Sequence, residues 1–235
     1  MGPRLPLLFL LPALLSAEII PGNVFDDGGT GFGGTRLMVT LSGGFAYRTG
    51  SAPDSIPDEM KGYISTLRRG TVIAAQGAYF FLPLLGAGLT FSRFSGTHSS
   101  SEDVVAADYM TGRILGKGPI SDDISILAFG PVAAARLMFL GANTFLYFSC
   151  APVVIFYSDR SVLLGHAYDL EGRTFGMEAN FGLDYLFTRY IGVGFGLSCL
   201  AGSVSDLKLD GKEGVIPGAE RMNRIGIFFG LKFNY

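Results

Sequence analysis

The chain has 235 residues, enough for one large domain or two small ones. It is 49% hydrophobic and only 16% charged, against about 25% charged in a soluble globular domain, so much of its surface does not face water. A net charge of −2 with no basic stripe argues against a nucleic-acid partner.

Residues 1–17 read as a secretory signal peptide. Arg4 supplies the positive start, Leu5 to Leu15 a short apolar core, and Leu15-Ser16-Ala17 the small residues before a cut. The apolar run is too short to cross a bilayer as a helix. No Cys follows the expected cut, so no lipoprotein anchor is expected. Residues 18–34 read as a flexible leader. Its Gly29-x-Gly31-x-x-Gly34 matches a dinucleotide fingerprint in letters only, because a leader precedes it and a strand follows.

The remainder, 35–235, alternates. In the first run Leu37, Val39, Leu41, Phe45 and Tyr47 oppose Arg36, Thr40, Ser42, Gly44 and Arg48. Two uncharged stretches, Gly70–Ser92 and Leu137–Ser158, are long enough to raise the question of a membrane helix. Each is broken by turn chemistry, at Leu82-Pro83-Leu84 and at Gly141-Ala142-Asn143. Their flanks are rich in Phe, Tyr, Val and Ile, so each reads as strand, tight turn, strand. Further on, Phe175, Met177, Ala179, Phe181, Leu183 and Tyr185 make one face, with Thr174, Glu178, Asn180 and Asp184 on the other. A helix would scatter those apolar residues around its axis, whereas a strand aligns them. The pattern predicts strands over 35–48, 70–82, 84–95, 122–137, 143–157, 173–187, 190–203 and 222–235. Links near Pro83, Gly141 and Arg189 are short. Residues 49–69, 96–121, 158–172 and 204–221 are expected to be long polar loops.

Strands of about 9–11 residues, even in number and joined by alternately short and long links, suit a barrel that crosses a membrane. In hydrocarbon every backbone polar group needs an internal partner, so the sheet must close. An eight-stranded barrel has an interior just wide enough for side chains to fill it. The small and polar face therefore points inward and the bulky face outward. The expected fold is all-β, an eight-stranded antiparallel transmembrane β-barrel with both termini in the periplasm. Aromatic residues fall near the predicted strand ends, with Phe81, Phe139, Phe145, Tyr185, Phe187, Tyr190, Phe233 and Tyr235 at the short-turn side. Tyr47, Phe91, Tyr157 and Phe175 fall at the other. Inward-facing charges make a lumen network of Arg36, Arg48, Glu178, Asp184, Arg224 and Lys232, with Gln76 on the same face. Opposite charges must pair there, because an unpaired buried charge is very costly.

The closing stretch NRIGIFFGLKFNY, with Phe229, Leu231, Phe233 and Tyr235 outward, resembles the terminal insertion signal of bacterial outer-membrane β-barrels. The segment GLDYLFTRYIGVGFGLS resembles the penultimate hairpin of small barrels in the broad OmpA/OmpX/OmpW-like group. The resemblance implies insertion into the outer membrane by its assembly machinery, with outer-membrane lipid as surroundings. It fixes no activity, since that group includes anchors, adhesins, narrow channels and a few enzymes.

Other chemistry is weaker. His98-x-Ser100 superficially resembles the arrangement of outer-membrane lipid A deacylases, but lies in a Ser-rich segment rather than a late strand, and Ser101 stands where an Asn is required. Two distant histidines, His98 and His166, and two distant cysteines, Cys150 and Cys199, make no metal-ligand spacing. No cofactor and no catalytic residue is expected. The cysteines sit on non-consecutive strands, so a disulfide is not expected. Apolar residues in the long loops (Val104, Val105, Ile114, Leu115, Leu163, Leu164, Val215, Ile216) suit a surface ligand or an entrance for a hydrophobic solute. The expected role is structural or surface-interacting, with a narrow pore for small or hydrophobic solutes as one form of it. The alternatives are a lipid-modifying enzyme of the outer membrane and, with the faces reversed, a soluble periplasmic ligand carrier.

Overall fold

The structure is a computed structural model. It describes residues 36–50, 65–107, 114–139, 143–163, 165–204, 207–209, 212–214 and 220–235, with side chains of 101–117, 163 and 210–220 outside the description. The proposed signal peptide, the leader with its glycine cluster, residues 164 and 215–216, and the side chains of Val104, Val105, Ile114, Leu115 and Leu163 lie outside it.

Among the described residues eleven strands follow one another: β1 (Leu37–Arg48), β2 (Arg69–Phe80), β3 (Leu85–Ala107), β4 (Ile114–Met138), β5 (Thr144–Leu163), β6 (His166–Leu186), β7 (Ile191–Val204), β8 (Leu207–Leu209), β9 (Lys212–Gly214), β10 (Glu220–Arg221) and β11 (Arg224–Asn234). Eight of them form a closed antiparallel ring, β1 through β7 and then β11, because β11 pairs with both β7 and β1. The last residue completes the seam: the amides of Arg36 and Leu37 both donate to the Tyr235 carbonyl, at 2.7 and 2.9 Å. Short turns at 81–84 and 187–190 lie at this same end. In the second, Thr188 Oγ1 accepts from the amides of Tyr190 and Ile191 at 3.2 and 3.0 Å, a side-chain substitute for a backbone turn bond.

Two of the expected loops are largely strand. β3 and β4 stay paired through 96–107 and 114–121, and β5 and β6 through 158–163 and 166–172. Backbone pairing continues regardless of side-chain polarity. The alternation that marks a half-buried strand therefore stops before the strand does. Within the expected loop 204–221 lie the short strands β8, β9 and β10: β8 pairs with β6, β9 with β8 and β10 with β7.

One interruption has a covalent cause. Pairing between β4 and β5 lapses between Phe129↔Val154 and Ala133↔Cys150, and the register sets Pro131 opposite Pro152. Neither has an N–H to give, so the ladder loses its bonds there.

The exterior is an uncharged belt. On β6 it runs from Tyr185 through Leu183, Phe181 and Met177 to Phe175, and on β11 from Leu231 through Phe229 and Ile227 to Ile225, all exposed. Charge begins abruptly on the long-hairpin side, at Arg69, Arg93 and Arg173. The belt is about ten residues along each long strand. At about 3.3 Å per residue and the usual tilt, it stands about 25 Å tall. Tyr157, expected in the outer aromatic girdle, is buried inside instead, with its hydroxyl donating to Asp159 Oδ2 at 3.1 Å. It falls on the inward parity of β5.

Candidate functional site

The interior is built in layers. On β6, Glu178 and Asp184 are six residues apart; on β11, Arg224 and Lys232 are eight apart. Even separations keep each pair on one face of its strand, and both faces look inward. All four side chains are buried.

Nearest the short turns, Lys232 Nζ forms an ion pair with Asp184 and stands 4.0 Å from the centre of the Tyr147 ring. Gln76 Nε2 donates to the Tyr147 hydroxyl. The layer draws on β2, β5, β6 and β11, so it spans the bore. Gly194 makes room for it: a Cβ there would stand 2.6 Å from Asp184 Oδ1 and 2.8 Å from Lys232 Cε.

The second layer joins β3, β6 and β11. Arg224 Nη2 donates to Ser92 Oγ at 2.7 Å, and Ser92 Oγ donates onward to Glu178 Oε2 at 3.0 Å. The guanidinium lies 3.8 Å from Glu178 Oε1. Charge-assisted bonds of this kind offset part of the desolvation of each ion. Between the layers is a polar cavity of about 30 Å³, bordered by Thr40, Gln76, Asn180 and Ser198. That is room for one or two waters and no larger solute.

Towards the long hairpins the interior turns apolar. Phe94, Ile126, Ile155, Leu200, Val204 and Met222 are buried together, with Arg48 standing 6.0 Å over the Tyr157 ring beside them. A second apolar cluster, Met38, Ala78, Phe80, Ala134 and Tyr147, lies at the opposite end. The expectation of a small and polar lumen therefore holds only for its middle. The missed signal was in β5 and β4, whose sequences are apolar on both parities, the mark of a strand covered on both sides.

The structure brings Glu178, Asp184, Arg224 and Lys232 into two pairs and sets Arg48 above them. It does not place Arg36 there. Arg36 precedes β1 at the rim, where the bore opens, and its exposed guanidinium donates to the outward Tyr79 hydroxyl at 3.4 Å. That bond holds its pKa above the ordinary value. Of the terminal residues, Phe229, Leu231 and Tyr235 are exposed on the outer surface, with Phe233 half-buried among them. His98 and Ser100 lie on β3. The His98 Nε2 is bonded to the Arg69 carbonyl at 2.9 Å, which commits that nitrogen as a donor and removes it as a base. Among the described residues no three His, Cys, Asp or Glu side chains converge on a metal site. Cys150 and Cys199 are both free.

Neither a family model nor a curated protein matches this chain. Solved structures do. Neisserial surface protein A is superposable over 85% of this chain and 97% of its own, at 11% identity and a TM-score of 0.51. The outer membrane protein OprG of Pseudomonas aeruginosa covers 88% of this chain and 99% of its own, at 13% identity and a TM-score of 0.52. A major outer membrane protein of Thermus thermophilus covers 86% and 100%, at 9% identity and a TM-score of 0.52. The chain has the fold of the small outer-membrane β-barrels. Within that fold the uncharged exterior, the closed seam at Tyr235 and the short turns have an immediate reason. A barrel without edges leaves its ring strands no exposed ladder over the belt, and its apolar side chains can face lipid.

Proposed function

We propose that this protein is a sealed barrel of the bacterial outer membrane, inserted by the assembly machinery after loss of the signal peptide. Its role is structural and surface-interacting rather than conductive. The observation that carries this reading is the filled bore: two cross-lumen ion-pair layers with about 30 Å³ between them, capped by apolar clusters. The short turns then face the periplasm and the long hairpins the outside. β3 continues from Arg93 to Ala107, beyond the belt. At about 3.3 Å per residue this is roughly 45–50 Å of strand path, paired with β4 apart from irregularities after Ser100 and Ala106, a mount for contact with a surface ligand. A pore for small or hydrophobic solutes would require both charged layers to part.

Reconstitution into planar bilayers and liposomes tests the reading. The expected result is no stepwise ionic current and no swelling in sugar solutions. Stable current steps from the unaltered protein would overturn it in favour of a pore.

A further inference from the structure

The outer wall formed by β11, β1, β2 and β3 is hollow near its long-hairpin end. The concavity encloses about 920 Å³. Its lower part is apolar, with Phe45 at 77%, Ile225 at 52% and Ile227 at 48% exposure. Its upper part is polar and carries Arg69, Thr71 and Thr97. Arg69 lies opposite Tyr47 in the ladder, where the uncharged belt of β1 ends. The hollow thus straddles the boundary between hydrocarbon and headgroups.

Among the described residues the charge lining the groove is positive. Arg68 follows a short helical turn and its Nη1 donates to the Tyr47 hydroxyl at 3.4 Å, which holds the guanidinium over the groove rim. Arg69 is exposed beside it. Among the described residues neither arginine pairs with a carboxylate. The carboxylate next to the groove, Asp123, accepts from Thr97 Oγ1 at 3.1 Å. The bond from His98 to the Arg69 carbonyl pins the backbone of the rim. An apolar trough below two guanidiniums that no described carboxylate pairs is complementary to an anionic amphiphile: acyl chain below, phosphate above. Guanidinium binds phosphate by paired, charge-assisted bonds.

We propose that this groove holds one phosphorylated, acylated lipid of the surrounding outer leaflet, with its acyl chain along Phe45, Ile225 and Ile227 and a phosphate between Arg68 and Arg69. The inference rests on the outer-membrane reading above. Its test uses the full chain in neutral detergent and native mass spectrometry. The probes are bisphosphorylated lipid A, the same lipid dephosphorylated, and inorganic phosphate as competitor. Bisphosphorylated lipid is expected to stay bound and the dephosphorylated form to be retained several-fold less, with millimolar phosphate displacing neither. Arg68→Gln and Arg69→Gln are each expected to weaken retention about fivefold. Phe45→Ser weakens both lipid forms, and Arg160→Gln, on the far hairpin, leaves retention unchanged. Equal retention of the two lipid forms by the unaltered protein overturns the proposal, whatever the variants do. So does an Arg160→Gln loss as large as that of Arg69→Gln. Displacement by inorganic phosphate alone overturns the lipid in favour of a free anion. Migration of unboiled and boiled samples on a gel, with membrane fractionation, separates the two levels. A protein that is released as soluble fails the outer-membrane reading itself, whereas a membrane-inserted barrel indifferent to the phosphates fails only this inference.

Discussion

Lys232 is held on every side in the bore. Its ammonium is buried, its counter-ion Asp184 is buried, and Gly194 is small because anything larger would occupy the same space. Losing one member of such a pair strands the other charge in a medium of low polarity, which costs about 3–5 kcal/mol, while replacing both costs much less. Lys232→Met is therefore expected to lower the unfolding free energy by about 3–5 kcal/mol, and Asp184→Asn added to it to restore most of the loss. Urea titration in lipid vesicles, followed by the mobility difference of folded and unfolded forms, measures both. Equal losses in the single and double variants would show that the two groups do not depend on each other. The parity of these residues was legible in the sequence, because an even spacing along an alternating strand keeps a side chain on one face. Which charge meets which was not legible, since Glu178 reaches Arg224 through Ser92 of a third strand, a contact set by how the ring closes. Arg36 shows the limit of parity: a residue with inward phase at the rim, where the bore opens, has no interior to enter.

Among the elements, β4 and β5 differ from the rest. Their ladder lapses in the middle of the belt, where Pro131 faces Pro152 and both side chains are exposed to the exterior. Hydrocarbon supplies no substitute donor, so the carbonyls at that point are costly. Restoring two N–H groups is expected to help. Pro131→Val with Pro152→Val should raise the urea midpoint, by about 1–3 kcal/mol of stability at about 0.5–1.5 kcal/mol for each recovered bond. A midpoint that falls would mean the backbone there is shaped to the proline rings rather than broken by them. Within the belt, the strands could be read from sequence to within a few residues, because lipid outside and a packed bore inside impose a two-residue period. Above the belt the β3–β4 and β5–β6 hairpins carry no sustained two-residue period in their sequence, and strand became indistinguishable from loop. The apolar layer of Phe94, Ile126 and Ile155 was hidden for the converse reason: where both faces are apolar, alternation says nothing about which side is inside.

For the whole molecule, the decisive physical quantity is which solvent meets the outer face, and the two free cysteines report on it. Cys199 is exposed and Cys150 half-buried, and both belong to the outward parity of their strands. In the ladder each lies beside Ala179, one on β5 and one on β7, so two strand spacings of about 4.8 Å separate them. That exceeds the reach of a disulfide, and both thiols stay available as probes. If the belt is immersed in lipid, a membrane-impermeant, charged maleimide is expected to leave Cys199 unmodified in intact vesicles. An apolar maleimide that partitions into the bilayer should label it. Unfolding in urea with detergent should then admit the charged reagent to both. If the same face met water, the charged reagent would modify Cys199 at once in the folded protein. The outward Phe, Leu and Ile side chains would then form an apolar surface far beyond the few hundred Å² that a soluble monomer exposes in one patch. The labelling pattern thus decides between the barrel in lipid and the soluble carrier with one measurement, and it does so independently of conductance, lipid binding or the pairing of charges in the bore.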